Sequence, residues 1–165
     1  MDANAKMSSY ASGKGDAVVT TIPFGAPLVN PHRKSSAIEF SDYGFVLPGY
    51  GMYVHEDTLK AKRDTIQKVV DATREAWAMI NKDGGAEECA DLLIKQRPDA
   101  KLVRDQLIEQ IKLQIPYFTT KATEGKPFGW QAEEDWTQTV KNLEQAKLVP
   151  AGSKTSDYFT NEFIK

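Results

Sequence analysis

Two short stretches hold the side chains with the most chemistry to offer. In "TTIPF", Thr20 and Thr21 supply hydroxyls and Phe24 a flat face. In "SDYGF", the Asp42 carboxylate can accept hydrogen bonds from an amine or an amino-pyrimidine. Tyr43 and Phe45 flank it and can stack on a planar ring, for about 1 kcal/mol each beyond the area they bury. Gly44 between them lets backbone approach a ligand closely. Trp130, which follows a glycine in an extended connection, is a further candidate for the wall of a cleft. Each residue has a plainer reading. The threonines are β-formers, Asp42 suits a turn cap, Tyr43 and Phe45 suit packing, and Trp130 can plug a helix layer. No arginine lies in either stretch, which favours a planar heterocycle over an inorganic anion. Arg33 is the nearest, in a proline-rich run, and is read as solvated.

Catalytic and metal chemistry are not expected. Glu133, Glu134 and Asp135 form an acidic run, but at a helix start they complement the macrodipole. No Gly-x-Ser-x-Gly occurs, and "SGKG" lacks the rest of a phosphate loop. Its Gly-Lys-Gly also precedes a strand-like run, whereas phosphate loops follow a strand and open a helix. Nothing assembles a nucleophile, a base and an orienting group, so the chain is read as a non-enzyme without a cofactor. Cys89 is the one cysteine and reads as a buried small hydrophobe. His32 and His55, the two histidines, lack the spacing of metal ligands.

The elements that must position these residues follow from composition and period. The 165 residues suffice for a real core, and 41% hydrophobic with 27% charged residues is ordinary for a globular chain. A formal charge of −2 gives no electrostatic case for nucleic acid or an anionic membrane. No stretch is long enough to span a bilayer, and "MDANAKMSSYASGKG" is not an apolar signal segment. β-Branching in "DAVVTTI" and alternation in "AIEFS" and "GMYVHE" predict strands over 16–22, 37–41 and 51–56. The stretch between the first two, "PFGAPLVNPHRKSS", reads as loop with at most one helical turn.

The period then turns helical. Residues 4–12 predict a first helix. A long helix follows from Asp64, with Gln67 three residues on as in a capping box, and Ile66, Val70, Thr73, Trp77 and Ile80 on one stripe. Gly84 and Gly85 stop it. "AEECADLLIKQ" gives a helix ending before Pro98, and Asp99 caps the next, where Leu107, Ile111 and Ile115 align. "EEDWTQTVKNLEQAKLV" gives a last helix with Trp136, Val140 and Leu143 inward, and Phe159 and Phe163 anchor the tail. The fold class expected is α/β: a short sheet covered by helices.

Four stretches carry a resemblance: "AKMSSYASGKGDAVVTT", "SDYGFVLPGYGMYVHEDTLKAKRDTIQKVVDATREAWAMI", "TEGKPFGWQAEEDWTQTVKNLEQAKLV" and "SDYFTNEFI". In their order and spacing they resemble the C-terminal half of ABC-importer substrate-binding proteins. The branch is the one that includes the thiamine-pyrimidine-precursor, nitrate, sulfonate and taurine binders. The resemblance implies part of a two-lobe periplasmic-binding-protein-like fold, incomplete in this chain, with the earlier strands lying before Met1. Residues 1–47 would be the remainder of the second lobe, and 48–165 a hinge return strand and the helical C-terminal part of the first. It implies capture of a small planar heterocycle in the interlobe cleft by hinge closure through "GFVLPGYG", where Gly44, Pro48, Gly49 and Gly51 otherwise read as a plain turn. The partners implied are the ligand and the permease subunits, and the location is periplasmic or otherwise extracytoplasmic. A half-built sheet also leaves room for a homodimer or a domain swap. The rival reading is a stand-alone α+β interaction or oligomerisation domain without a small-molecule ligand.

Overall fold

A computed structural model describes residues 3–165. Its helices, in chain order, are α1 (Ala3–Ala11), α2 (Ile22–Val29), α3 (Glu56–Ala61), α4 (Arg63–Ile80), α5 (Gly85–Gln96), α6 (Arg104–Gln114) and α7 (Glu133–Gln145), joined by extended runs and short 3-10 turns. There is no β-strand among the described residues, and this corrects the α/β expectation. Each strand-like run ends in a helical element: Ile22 opens α2, Phe40 and Ser41 lie in a 3-10 turn, and Glu56 opens α3. Extended backbone is kept by the residue just before each of these elements, Thr21 (φ −83°, ψ 139°), Glu39 (−83°, 130°) and His55 (−65°, 143°). No run finds another to pair with, so the ladder that defines a sheet never forms. β-Propensity reports fit to a pleated surface and does not create one.

The chain divides into two compact units. The first comprises the chain up to Ile38 with Met79–Pro116. Here α1 packs on α2, α2 on α6, and α6 on α5. In "IPFGAPLV", Pro23 sits in the first turn, where its missing N–H has no intrahelical role, whereas Pro27 lies inside the helix and contributes no N–H to it. Its Pro23, Gly25, Pro27 and Val29 are buried, with Met7, Ala86, Ala90 and Ile111. Arg33 is not solvated as expected. It is half-buried, donating from Nη1 to the carbonyls of Tyr10 (2.9 Å) and Gly15 (2.7 Å), with its guanidinium 4.4 Å from the Tyr10 ring centroid. Arg104 forks onto Asp91 (2.6 and 3.0 Å), and Lys112 pairs with Glu87, so α6 is tied to α5 at both ends.

The second unit comprises Glu39–Ala78 and Tyr117–Lys165. Val70 is buried, with Ile66, Thr73 and Trp77 half-buried on the same stripe of α4. Trp77, Phe118 and Phe128 form an aromatic cluster, with Trp77 and Phe118 centroids 4.4 Å apart. The tail docks on α4. Phe163 is buried, Gln67 Nε2 donates to its carbonyl (3.0 Å), Arg63 pairs with Glu162 (2.8 Å) and Arg74 donates to the Lys165 carbonyl (2.8 Å). Burying one Phe stabilises by about 1.5–3 kcal/mol. Gln67 also bonds Asp71, so the capping box expected with Asp64 is not made. Trp136 stacks on Phe159 (5.5 Å, 9°) and donates from Nε1 to Gln131 (2.8 Å). Asn161 exchanges two hydrogen bonds with the Gln131 backbone.

Candidate ligand-binding site

The candidate residues fall in both units. Thr20, Thr21 and Phe24 belong to the first, and Asp42, Tyr43, Gly44, Phe45 and Trp130 to the second.

At the start of α2, Thr21 is the N-cap residue and its carbonyl accepts from the N–H groups of Phe24 (3.2 Å) and Gly25 (2.8 Å). The backbone that positions all three residues is therefore that of a helix entry, not of a strand end. The Thr20 methyl lies over Gly25 in the space a Cβ would need, so this threonine packs locally. Its hydroxyl makes a long contact with the Thr21 carbonyl (3.4 Å). Phe24 is half-buried, and its carbonyl accepts from Gln110 Nε2 (3.5 Å).

The second group is built as one tight turn. Phe40–Tyr43 form a 3-10 turn, and Gly44 closes it in the left-handed region (φ 77°, ψ 8°). No atom lies within 4 Å of a Cβ placed at Gly44. Conformation, not crowding, is what calls for glycine there. The Phe45 N–H then returns to the Phe40 carbonyl (3.0 Å), and the two rings meet edge to face (6.4 Å, 84°). Asp42 and Tyr43 project from the turn into solvent, Tyr43 being 78% exposed. A carboxylate and three exposed aromatic residues thus sit on one short closed loop. Such a set can stack on a flat ring and accept hydrogen bonds from its amino substituent.

Phe40 was not singled out from sequence. The signal was present, as an aromatic five residues before Phe45 with a glycine just inside the pair. Glu39, beside Phe40, faces Tyr117. Burial, then the Glu39 charge and hydrogen bond, pushes the Tyr117 hydroxyl above its usual range. Trp130 is half-buried, held by its N–H to the Pro127 carbonyl (3.0 Å), with Lys126 Nζ 5.6 Å from its ring centroid.

Among the described residues, no group of three or more His, Cys, Asp and Glu is placed to hold a metal ion. Glu133 and Glu134 line a shallow open depression on α7 with Thr137 and Gln138, where their charges face the helix N-terminus. No helix among the described residues is long and apolar enough to cross a membrane. Comparisons with protein-family models, with curated proteins and with solved structures found no match.

Proposed function

We propose that the chain is a non-catalytic solute-capture protein that binds a small planar heterocycle of the amino-pyrimidine kind on the Phe40–Phe45 turn. The observation that carries this reading is the exposure of Tyr43 beside Asp42, on a turn closed by Gly44 and the Phe45-to-Phe40 hydrogen bond. A turn already closed by its own hydrogen bonds has less entropy to lose on binding, which raises affinity for a given contact area. Ring stacking supplies the attraction, and the carboxylate selects a ligand that carries an amino group.

The wider role we assign is delivery of that solute to the permease subunits of an ABC importer, on the extracytoplasmic side of the membrane. Its support is the resemblance of the four quoted stretches, taken in order.

The experiment is a thermal-shift titration of the whole chain with 4-aminopyrimidine-type ligands, with sodium nitrate and taurine as contrasts. A ligand at 100 times its Kd adds about 2.7 kcal/mol to stability. The aminopyrimidine is expected to raise the melting temperature in wild type and not in Tyr43→Ala. A cooperative melt that none of the compounds moves would overturn the reading.

A further inference from the structure

From Leu47 to Val54 the sequence "LPGYGMYV" carries no charged side chain. It holds Tyr50, Met52, Tyr53 and Val54, residues that suit a pleated strand or a packed surface. All four are exposed, Tyr53 to 96%. The N–H groups of Met52, Tyr53 and Val54 have no hydrogen-bond partner among the described residues. Both flanks of the segment are fixed. On one side, Thr139 Oγ1 (3.3 Å) and Asn142 Nδ2 (3.4 Å) donate from α7 to the Val46 carbonyl. On the other, His55 caps α3, its Nδ1 accepting from the Asp57 N–H (3.3 Å). The segment is thus uncharged and exposed, with a bend at Tyr50 and three open N–H groups beyond it, at Met52, Tyr53 and Val54. It lacks the charges with which exposed edges are usually blunted.

We propose that this segment is a self-association surface, and that its occupant is the same segment of a second copy of the chain, added as an antiparallel strand. Charge is the first reason for choosing a second copy. An uncharged segment can meet its own image without like-charge repulsion, which otherwise destabilises directly opposed residues. A two-fold axis also makes the patch self-complementary, with every residue satisfied twice. Area is the second reason. At roughly 200 Å² per large side chain, the exposed parts of Leu47, Tyr50, Met52, Tyr53 and Val54 amount to about 600 Å² per copy. Two copies together offer up to about 1,200 Å², enough to clear the roughly 1,000 Å² that a specific, reversible pair needs. Strand addition also pairs the three open N–H groups, which solitary extended backbone leaves to water. The proposal goes beyond ligand capture and does not rest on it.

Sedimentation equilibrium from about 1 μM to about 200 μM reads the proposal directly, across the range where such an interface dissociates. The average mass is expected to rise from 18.4 kDa toward twice that value. Hydrogen exchange at the amides of Met52, Tyr53 and Val54 is expected to slow over the same range. The M52K/Y53K double variant changes only exposed side chains. It is expected to stay monomeric with an unchanged melting temperature. A monomer at every concentration overturns the proposal: with fast exchange the segment is left to a different polypeptide, and with slow exchange another part of the same chain covers it. A dimer that survives the double variant, with these amides still fast, also overturns it.

Discussion

Phe45 returns its N–H to the carbonyl of Phe40 across Gly44, and the two rings meet edge to face at 6.4 Å. This pairing makes the stretch between them a closed turn and not a loose connection. Tyr43 and Asp42 are displayed as a consequence.

Gly44 is the residue on which the turn depends. At φ 77° any side chain is strained, yet a Cβ would meet nothing within 4 Å. Gly44→Ala is therefore expected to cost about 1–2 kcal/mol from backbone strain alone, and Gly44→Asn less, because asparagine tolerates the left-handed region. Urea denaturation measures both. Equal losses for the two would mean that the strain is not local to this backbone.

The tail is the second point of vulnerability. Phe163 is buried against α4, whereas Glu162, its neighbour, forms an exposed pair with Arg63. Phe163→Ala is expected to lower stability by about 3 kcal/mol through lost transfer energy and the cavity left behind. Glu162→Gln is expected to leave the urea midpoint almost unchanged. A larger loss at Glu162 than at Phe163 would contradict this assignment of the docking energy.

Acid is expected to loosen the first unit. The hydrogen bond from Lys112 holds Glu87 below the usual carboxylate range, and that from Arg104 does the same for Asp91. Folded-state values below the unfolded ones stabilise the fold above about pH 4, and that contribution disappears as pH falls through the lower folded values. Thermal melts from about pH 6 down to about pH 2 should show a loss that shrinks in D91N and in high salt, because both pairs are exposed. A melting temperature flat across this window would contradict it.

Cys89 is half-buried, and burial pushes its thiol above the usual range. Iodoacetamide at about pH 8 is expected to label it several-fold more slowly in the folded chain than in urea, since only the thiolate reacts. Equal rates would mean that the α5 face is open.

What the sequence disclosed was the part governed by period. The stripe of Ile66, Val70, Thr73 and Trp77 on α4 and the inward Val140 on α7 follow directly from apolar spacing, and α5 ends before Pro98 as expected. Caps were less legible, because they depend on competing partners. Gln67 bonds Asp71 and the tail rather than closing a capping box, and Asp99 lies in a separate turn while Val103 precedes α6. The strands failed for a non-local reason. Val18, Val19 and the "GMYV" run favour extended backbone and stay outside any helix, but a ladder needs a second strand that local sequence cannot supply. α2 was hidden by two prolines and a glycine; Pro23 falls in the first turn, where proline is tolerated, but Pro27 lies inside the helix, against the local rule. At the site, the types in "SDYGF" were legible, whereas the contribution of Phe40 required the turn to close.

The account turns on whether the Phe40–Phe45 turn holds a flat ring. Backbone amide NMR of the whole chain, titrated with 4-aminopyrimidine, tests this residue by residue. The account predicts saturable shifts centred on the amides of Ser41 to Phe45, lost in Tyr43→Ala and weakened in Asp42→Asn. Saturable shifts centred elsewhere, or none at millimolar ligand, would contradict it.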